Sequence, residues 1–200
     1  AAPAVVGSAL GAAALGQVAL AQRVVETLST ARVAAARVAA AGIPRTLGDR
    51  EQLRSIVGRG SLLVTLATGL PTAIASCTVS WLPGLVPDGW AASAQVLPGL
   101  ATASTIGALS VMWSSVLVAE GRAGLLTTMH LANAVILFVA AAALVPRLGA
   151  VGFAYADMLA SSAFVVSWQA CRSRIGNPLT PWAALAAAGC IGLAWLPSLL

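Results

Sequence analysis

Long apolar stretches alternate with short polar connectors along almost the whole chain. The stretches that reach the length a bilayer requires, about 20 residues at 1.5 Å each, fall at 16–42, 60–83, 91–119, 124–145, 149–171 and 181–199. A shorter apolar stretch, 3–15, precedes them and is interpreted as part of one more helix. The pattern predicts an all-α, polytopic transmembrane helical bundle of about six spans plus one partial span, forming a single transmembrane domain over 1–200.

Composition supports this class of protein and excludes others. Hydrophobic residues make up 59% of the chain and charged residues only 8%, whereas soluble domains carry about 25% charged residues. The net charge of +5 comes from scattered arginines without lysine, and no basic face interleaved with aromatic residues indicates nucleic-acid binding. The cysteines are widely spaced and lack neighbouring histidines, so we expect neither a metal nor a cofactor.

The arginines in the connectors are distributed unevenly across the predicted membrane. Connectors 43–59, 120–123 and 172–180 alternate with connectors 84–90 and 146–148, which hold Arg147 alone. The first set carries seven arginines: Arg45, Arg50, Arg54, Arg59, Arg122, Arg172 and Arg174. Because arginine and lysine accumulate in cytoplasmic loops, the first set is predicted to be cytoplasmic.

The span 16–42 is unusual because it carries several charged residues. Arg23 and Glu26, with Thr27 and Thr30, share one broad face of the predicted helix. Charged residues within a bilayer face a bundle interior or a watery cavity, so this face is a candidate substrate site. One interpretation makes Arg23 a ligand for phosphate; the other makes Arg23 and Glu26 an internal ion pair. Arg32 is expected on a different face, and Arg37 near the cytoplasmic end.

Three other polar residues lie within predicted spans. His130 and Asn133 are one turn apart in span 124–145, and Asp157 lies in the next span. Such residues relay protons or bind coupling ions, and they also serve as hydrogen-bonding residues between helices. Both interpretations stay open for all three.

The order of several short segments resembles a known family. These are Leu-Gly at 15–16, Ala-Leu-Ala-Gln-Arg at 19–23, Ile-Pro-Arg at 43–45, Leu-Pro at 70–71, Glu-Gly-Arg at 120–122 and Val-Pro-Arg-Leu-Gly-Ala-Val-Gly-Phe-Ala at 145–154. Over about residues 5–175 the chain resembles the C-terminal half of polysaccharide and oligosaccharide flippases of the multidrug/oligosaccharidyl-lipid/polysaccharide superfamily. In related lipid II flippases, an arginine in the corresponding helix follows an aspartate; here Gln22 replaces the aspartate.

The resemblance implies one lobe of a two-lobe transporter in the bacterial cytoplasmic membrane, paired with an N-terminal lobe of the same protein. It implies no enzyme activity but translocation of a lipid-linked glycan, carried on polyprenyl pyrophosphate, by alternating access, with Arg23 holding the pyrophosphate. Two alternatives stay open. A cation antiporter of the same superfamily would hold acidic residues in its cavity, and a membrane-embedded glycan polymerase or ligase would carry large outer loops.

Overall fold

Helices account for nearly all of the described part of the chain. A computed structural model describes residues 2–81 and 91–199. Its helices are α1 Ala2–Leu28, α2 Thr30–Gly42, α3 Arg50–Trp81, α4 Ala91–Ala119, α5 Ala123–Leu148, α6 Ala150–Ala160, α7 Val165–Ile175 and α8 Pro181–Leu199. Short 3₁₀ turns cover Ile43–Thr46 and Ser161–Phe164. The predicted connector 84–90 lies outside the described residues.

Six helical segments of the described ranges are long and apolar enough to cross a membrane: Val6–Leu28, Arg50–Trp81, Ser93–Ala119, Ala123–Leu148, Ala150–Ile175 and Pro181–Ser198. Neither described range contains a β-strand. The prediction of an all-α, polytopic membrane bundle is therefore confirmed, and the protein is a multi-pass membrane protein.

The first predicted span differs from the structure because the chain bends twice near its start. Helix α1 joins two helical pieces across Gly11, whose φ of 87° and ψ of 175° are not helical. The first piece folds back, so that a Cβ placed on Gly7 would lie 3.2 Å from Leu15 Cδ2. Further on, Ser29 separates α1 from α2 with φ −90° and ψ 7°. The segment 16–42 is thus two helices that meet at Ser29.

Helix α4 occupies the centre of the bundle, and 72% of its candidate span is buried. Helices α3 and α8 pack against it on one side, and α1, α5 and α6 pack on the other. Small residues permit this close packing. A Cβ placed on Gly99 of α4 would lie only 2.6 Å from the Cβ of Ala154 in α6.

The arginine-rich connectors meet at one end of the bundle. A buried cluster there joins Ile43, Leu53, Val116 and Ile175 from four different segments. The side chain of Arg174, at the end of α7, also reaches Glu120 beyond α4, with Nε 2.8 Å from Oε1. We call this the basic end; it groups the three connectors that the arginine count assigned to one side.

Candidate functional site

A polar cavity of about 200 Å³ lies inside the bundle among α1, α2, α4, α5 and α6. Its polar lining consists of Gln22, Glu26, Ser29, Arg32, Ser104, Asn133, Asp157 and Ser161. Gly107, Asn133 and Ser161 each lie near the middle of their membrane-spanning segments. On α4, α5 and the α6–α7 segment the cavity therefore lies at about half the length of the candidate span, where polar side chains are most costly in a bilayer.

One wall of the cavity is the break between α1 and α2. The buried hydroxyl of Ser29 forms a hydrogen bond of 2.8 Å with the hydroxyl of Ser104 in α4. The backbone oxygen of Ser29 accepts the N–H of Arg32 at 3.0 Å. The hydrogen bond between Ser29 and Ser104 of α4 fixes the break in place, and α2 begins immediately after Ser29. A discontinuous helix within a membrane is tolerated where it lines a cavity, as it does here.

A second irregular segment also lines the cavity. Helix α6 ends at Ala160 and a 3₁₀ turn, Ser161–Phe164, leads into α7. The side-chain amide of Asn133 in α5 donates a hydrogen bond of 2.9 Å to the carbonyl oxygen of Ala160. The second interruption is therefore also held by a polar side chain from a neighbouring helix. The cavity is thus lined by two irregular helical segments, which a membrane protein tolerates where they border a cavity.

Arg32 provides the positive charge of the cavity. Its side chain passes over Gly107 of α4, where an added Cβ would lie 2.9 Å from the guanidinium Nη1. The cavity also holds the carboxylates of Glu26 and Asp157. No salt bridge within 4.0 Å joins Arg32 to either carboxylate in the described ranges. The guanidinium therefore keeps donor capacity for a ligand.

A second, larger cavity continues from the polar one. Its volume is about 520 Å³, and it shares Arg32, Gly107 and Phe164 with the polar cavity. Most of its remaining lining is apolar, including Val33, Val111, Val118, Leu126 and Met129. Val33 and Val118 are more than half exposed, so this cavity opens at the surface of the bundle. Arg32 therefore marks the boundary between a polar and an apolar compartment.

Comparisons with known proteins add no relative to this description. No family model matches the sequence, and no curated protein or solved structure matches it. The site is therefore defined by its own geometry.

Three of the predicted substrate-binding residues lie outside the polar cavity. Arg23 is exposed, as are Thr27 and Thr30. The hydroxyl of Thr27 donates to the backbone oxygen of Arg23 at 2.8 Å, which is a local bond within the helix. No ion pair within 4.0 Å connects Arg23 with Glu26 in the part of the chain that the structure describes. The internal ion pair considered from the sequence does not form.

The remaining predicted residues divide between the two cavities. Glu26, Asn133 and Asp157 are brought together in the polar cavity, although they are distant in sequence. His130 is exposed and lines the apolar cavity instead. Asn133 also donates a hydrogen bond from α5 to Ala160 of α6, so it connects two helices, which is the second role that the sequence left open for it.

Arg32 is the site residue that sequence reasoning missed. The sequence placed it on a different face from Arg23, and the structure agrees that the two do not meet. The available signal was its spacing from Ser29 and Arg23. Residues separated by three lie near one another on a helix, so Arg32 neighbours Ser29, whereas Arg23, nine positions before Arg32, falls on the opposite side of a regular helix.

Proposed function

We propose that this chain is one lobe of a transporter that translocates a polyprenyl-pyrophosphate-linked oligosaccharide across the bacterial cytoplasmic membrane. In this proposal an N-terminal lobe of the same protein completes the pathway, and the two lobes alternate between inward and outward openings. The lobe acts by binding and release and makes no covalent bond. The observation that carries the proposal is the junction of the polar and apolar cavities at Arg32.

The two cavities match the two parts of such a substrate. A pyrophosphate is an anion, and the planar guanidinium of Arg32 presents paired donors to phosphate oxygens. The neutral hydroxyls and amides of the polar cavity, including Gln22, Ser104 and Asn133, offer hydrogen bonds to sugar hydroxyls. A polyprenyl chain is apolar and suits the adjoining compartment around Val111, Leu126 and Met129. The junction therefore fits an amphipathic ligand with its phosphate at the boundary.

Loss of Arg32 should weaken binding of a prenyl pyrophosphate. We expect Arg32→Gln to raise the Kd about 10- to 100-fold, because hydrogen bonds to charged groups contribute roughly 1.5–3 kcal/mol. The Kd of Arg32→Lys should lie between those of the wild type and Arg32→Gln, since lysine keeps the charge but lacks the planar pair of donors. The measurement is titration of a fluorescent prenyl pyrophosphate into the chain held in lipid nanodiscs, with the matching prenyl alcohol as the ligand without phosphate.

Arg37→Gln is the matched control. Arg37 is an exposed arginine of the same helix α2 and lines neither cavity, so its removal should leave the Kd near that of the wild type. Equal Kd values for Arg32→Gln and wild type would refute the assignment. If Arg23→Gln raises the Kd and Arg32→Gln does not, Arg23 is the residue that binds the phosphate, as the resemblance implied.

A cation antiporter is the second candidate, and one observation favours it. The polar cavity holds two carboxylates, Glu26 and Asp157, and one guanidinium. When both carboxylates are ionised, the lining carries a net negative charge, which attracts cations. Proteoliposomes containing the complete two-lobe protein distinguish the candidates. Flipping of a fluorescent lipid-linked oligosaccharide supports the first, whereas exchange of organic cations without flipping supports the second.

A further inference from the structure

A separate groove lies at the basic end of the bundle, between α3 and the start of α8. Its volume is about 420 Å³, and its lining includes Glu51, Arg54, Arg59, Leu62, Thr180 and Trp182. None of these residues lines either of the two central cavities. The groove is therefore independent of the proposed transport site.

At the groove the side chain of Thr180 packs closely against the backbone of α3 at Gly58. A Cβ placed on Gly58 of α3 would lie 2.6 Å from Cγ2 of Thr180. The hydroxyl of Thr180 in turn accepts the backbone N–H of Ala183 at 3.2 Å, which fixes the first turn of α8. Because α8 starts against α3 at this point, the side chains of Arg54 and Trp182 border the same groove.

The groove is cationic where it meets the basic end of the bundle. Arg54 and Arg59 are both exposed, and neither has an ion-pair partner within 4.0 Å in the described ranges. Glu51 is the one carboxylate in the lining. The formal charge of the lining is thus positive, and two guanidinium groups are available to an anion.

Leu62 and Trp182 also line the groove, and exposed leucines follow beyond them on the same two helices. Trp182 is 71% exposed, and tryptophan favours the headgroup region of a bilayer. One helical turn deeper, Leu66 follows Leu62 on α3 and Leu185 follows Trp182 on α8. Leu66 is 38% exposed and Leu185 63%. Cationic side chains at the basic end therefore continue into exposed apolar side chains along the membrane-spanning helices.

We infer that this groove binds one anionic membrane phospholipid. Its phosphate lies between Arg54 and Arg59, and its acyl chains lie along Leu66 and Leu185. A soluble phosphate would use the arginines but not the exposed leucines, and a zwitterionic lipid would lack the net charge that the groove complements. The occupant that uses both halves is a lipid such as phosphatidylglycerol.

Native mass spectrometry of the full chain, released from detergent with added phosphatidylglycerol or phosphatidylcholine, tests the inference. We expect phosphatidylglycerol to bind with the higher affinity. The double variant Arg54→Gln/Arg59→Gln should bind it roughly tenfold or more weakly, because both cationic side chains that attract the anionic lipid are lost. The control Arg45→Gln/Arg50→Gln removes the same charge from the same connector but outside the groove, and should lose markedly less affinity.

A variant that binds the lipid more tightly than the wild type gives a test whose result misfolding cannot explain. Glu51→Gln removes the one carboxylate of the lining and should strengthen phosphatidylglycerol binding several-fold. The inference is overturned if both double variants lose affinity equally, if phosphatidylcholine binds as well, or if Glu51→Gln has no effect. Displacement of the lipid by an equal concentration of glycerol phosphate would overturn it as well, because the apolar half of the groove would then contribute nothing.

Discussion

The contact between α4 and α6 should be highly sensitive to one added methyl group. In Gly99→Ala the new Cβ would lie 2.6 Å from the Cβ of Ala154 and 3.4 Å from its carbonyl carbon. Carbon atoms pack best at about 3.5–4.0 Å, so the two helices must separate by roughly 1 Å. Neither methyl group can turn aside, because each is fixed to its backbone.

The expected cost follows from that overlap. Extra methyl groups in a well-packed interior typically lower the free energy of unfolding by about 1–3 kcal/mol, and the backbone-fixed clash indicates the upper part of this range. The same separation should enlarge the polar cavity, since Leu100 and Asp157 follow shortly after Gly99 and Ala154 on the facing helices. Gly99→Ala is therefore expected to weaken binding of the proposed prenyl pyrophosphate ligand as well as to lower stability.

The assay is unfolding of the chain in mixed micelles by increasing SDS, followed by far-UV circular dichroism. Gly192→Ala is the control, because the added Cβ meets no atom within 4 Å on the exposed side of α8. That variant should be neutral or more stable by up to about 1 kcal/mol, since alanine is the better helix former. Equal unfolding curves for the two variants would refute the close-packing argument.

A compensating substitution tests the cause directly. In Gly99→Ala/Ala154→Gly the methyl group is moved from α6 to α4 and the overlap disappears. The double variant should therefore be more stable than the sum of the single effects predicts, with a coupling of about 1–2 kcal/mol. Additive effects would show that the destabilisation has another origin.

Two further predictions concern polar contacts. Ser29→Ala should lower the free energy of unfolding by about 1–3 kcal/mol, because the buried Ser104 hydroxyl loses its partner across the break. Ser162→Ala, at an exposed position, should change it little, and equal losses in the same SDS titration would contradict this. Arg174→Gln removes the 2.8 Å contact with Glu120. Arg174 is more than half exposed, whereas Glu120 is 13% exposed and keeps Arg122 at 3.8 Å. The loss should therefore be about 1 kcal/mol and should decrease in concentrated salt; a much larger, salt-independent loss would contradict this.

The sequence was sufficient to predict the class of fold because the membrane selects for it directly. A helix that crosses about 30 Å of hydrocarbon must be long and apolar, and its backbone must satisfy its own hydrogen bonds. Those requirements are visible as runs of apolar residues. The predicted spans from 91 onward therefore agree with helical segments to within four residues, whereas α3 begins ten residues before its predicted span because a helix can extend beyond the bilayer.

The site was harder to predict from the sequence because its geometry depends on contacts between residues that are far apart in the chain. Ser29 interrupts a helix that the composition of 16–42 would otherwise continue, and its hydroxyl bonds to a residue 75 positions away. Arg32 reaches the cavity where Gly107 of another helix leaves room for it. The pattern of apolar and polar residues within one segment cannot predict either contact, because each contact involves a residue of another helix. Arg23 satisfied the local criteria equally well, and the structure places it outside the cavity.

The two hydrogen bonds that hold the irregular segments also determine the shape of the cavity. Ser29 bonds to Ser104 and Asn133 bonds to the carbonyl oxygen of Ala160, and all but Ala160 line the polar cavity directly. Because the same contacts close the helix breaks and position the lining, loss of one contact should alter stability and ligand affinity together. Arg32 differs from these residues, since no ion pair within 4.0 Å holds its guanidinium in the part of the chain that the structure describes. A substitution of Arg32 that changes binding without lowering stability would therefore identify it as a ligand-binding group.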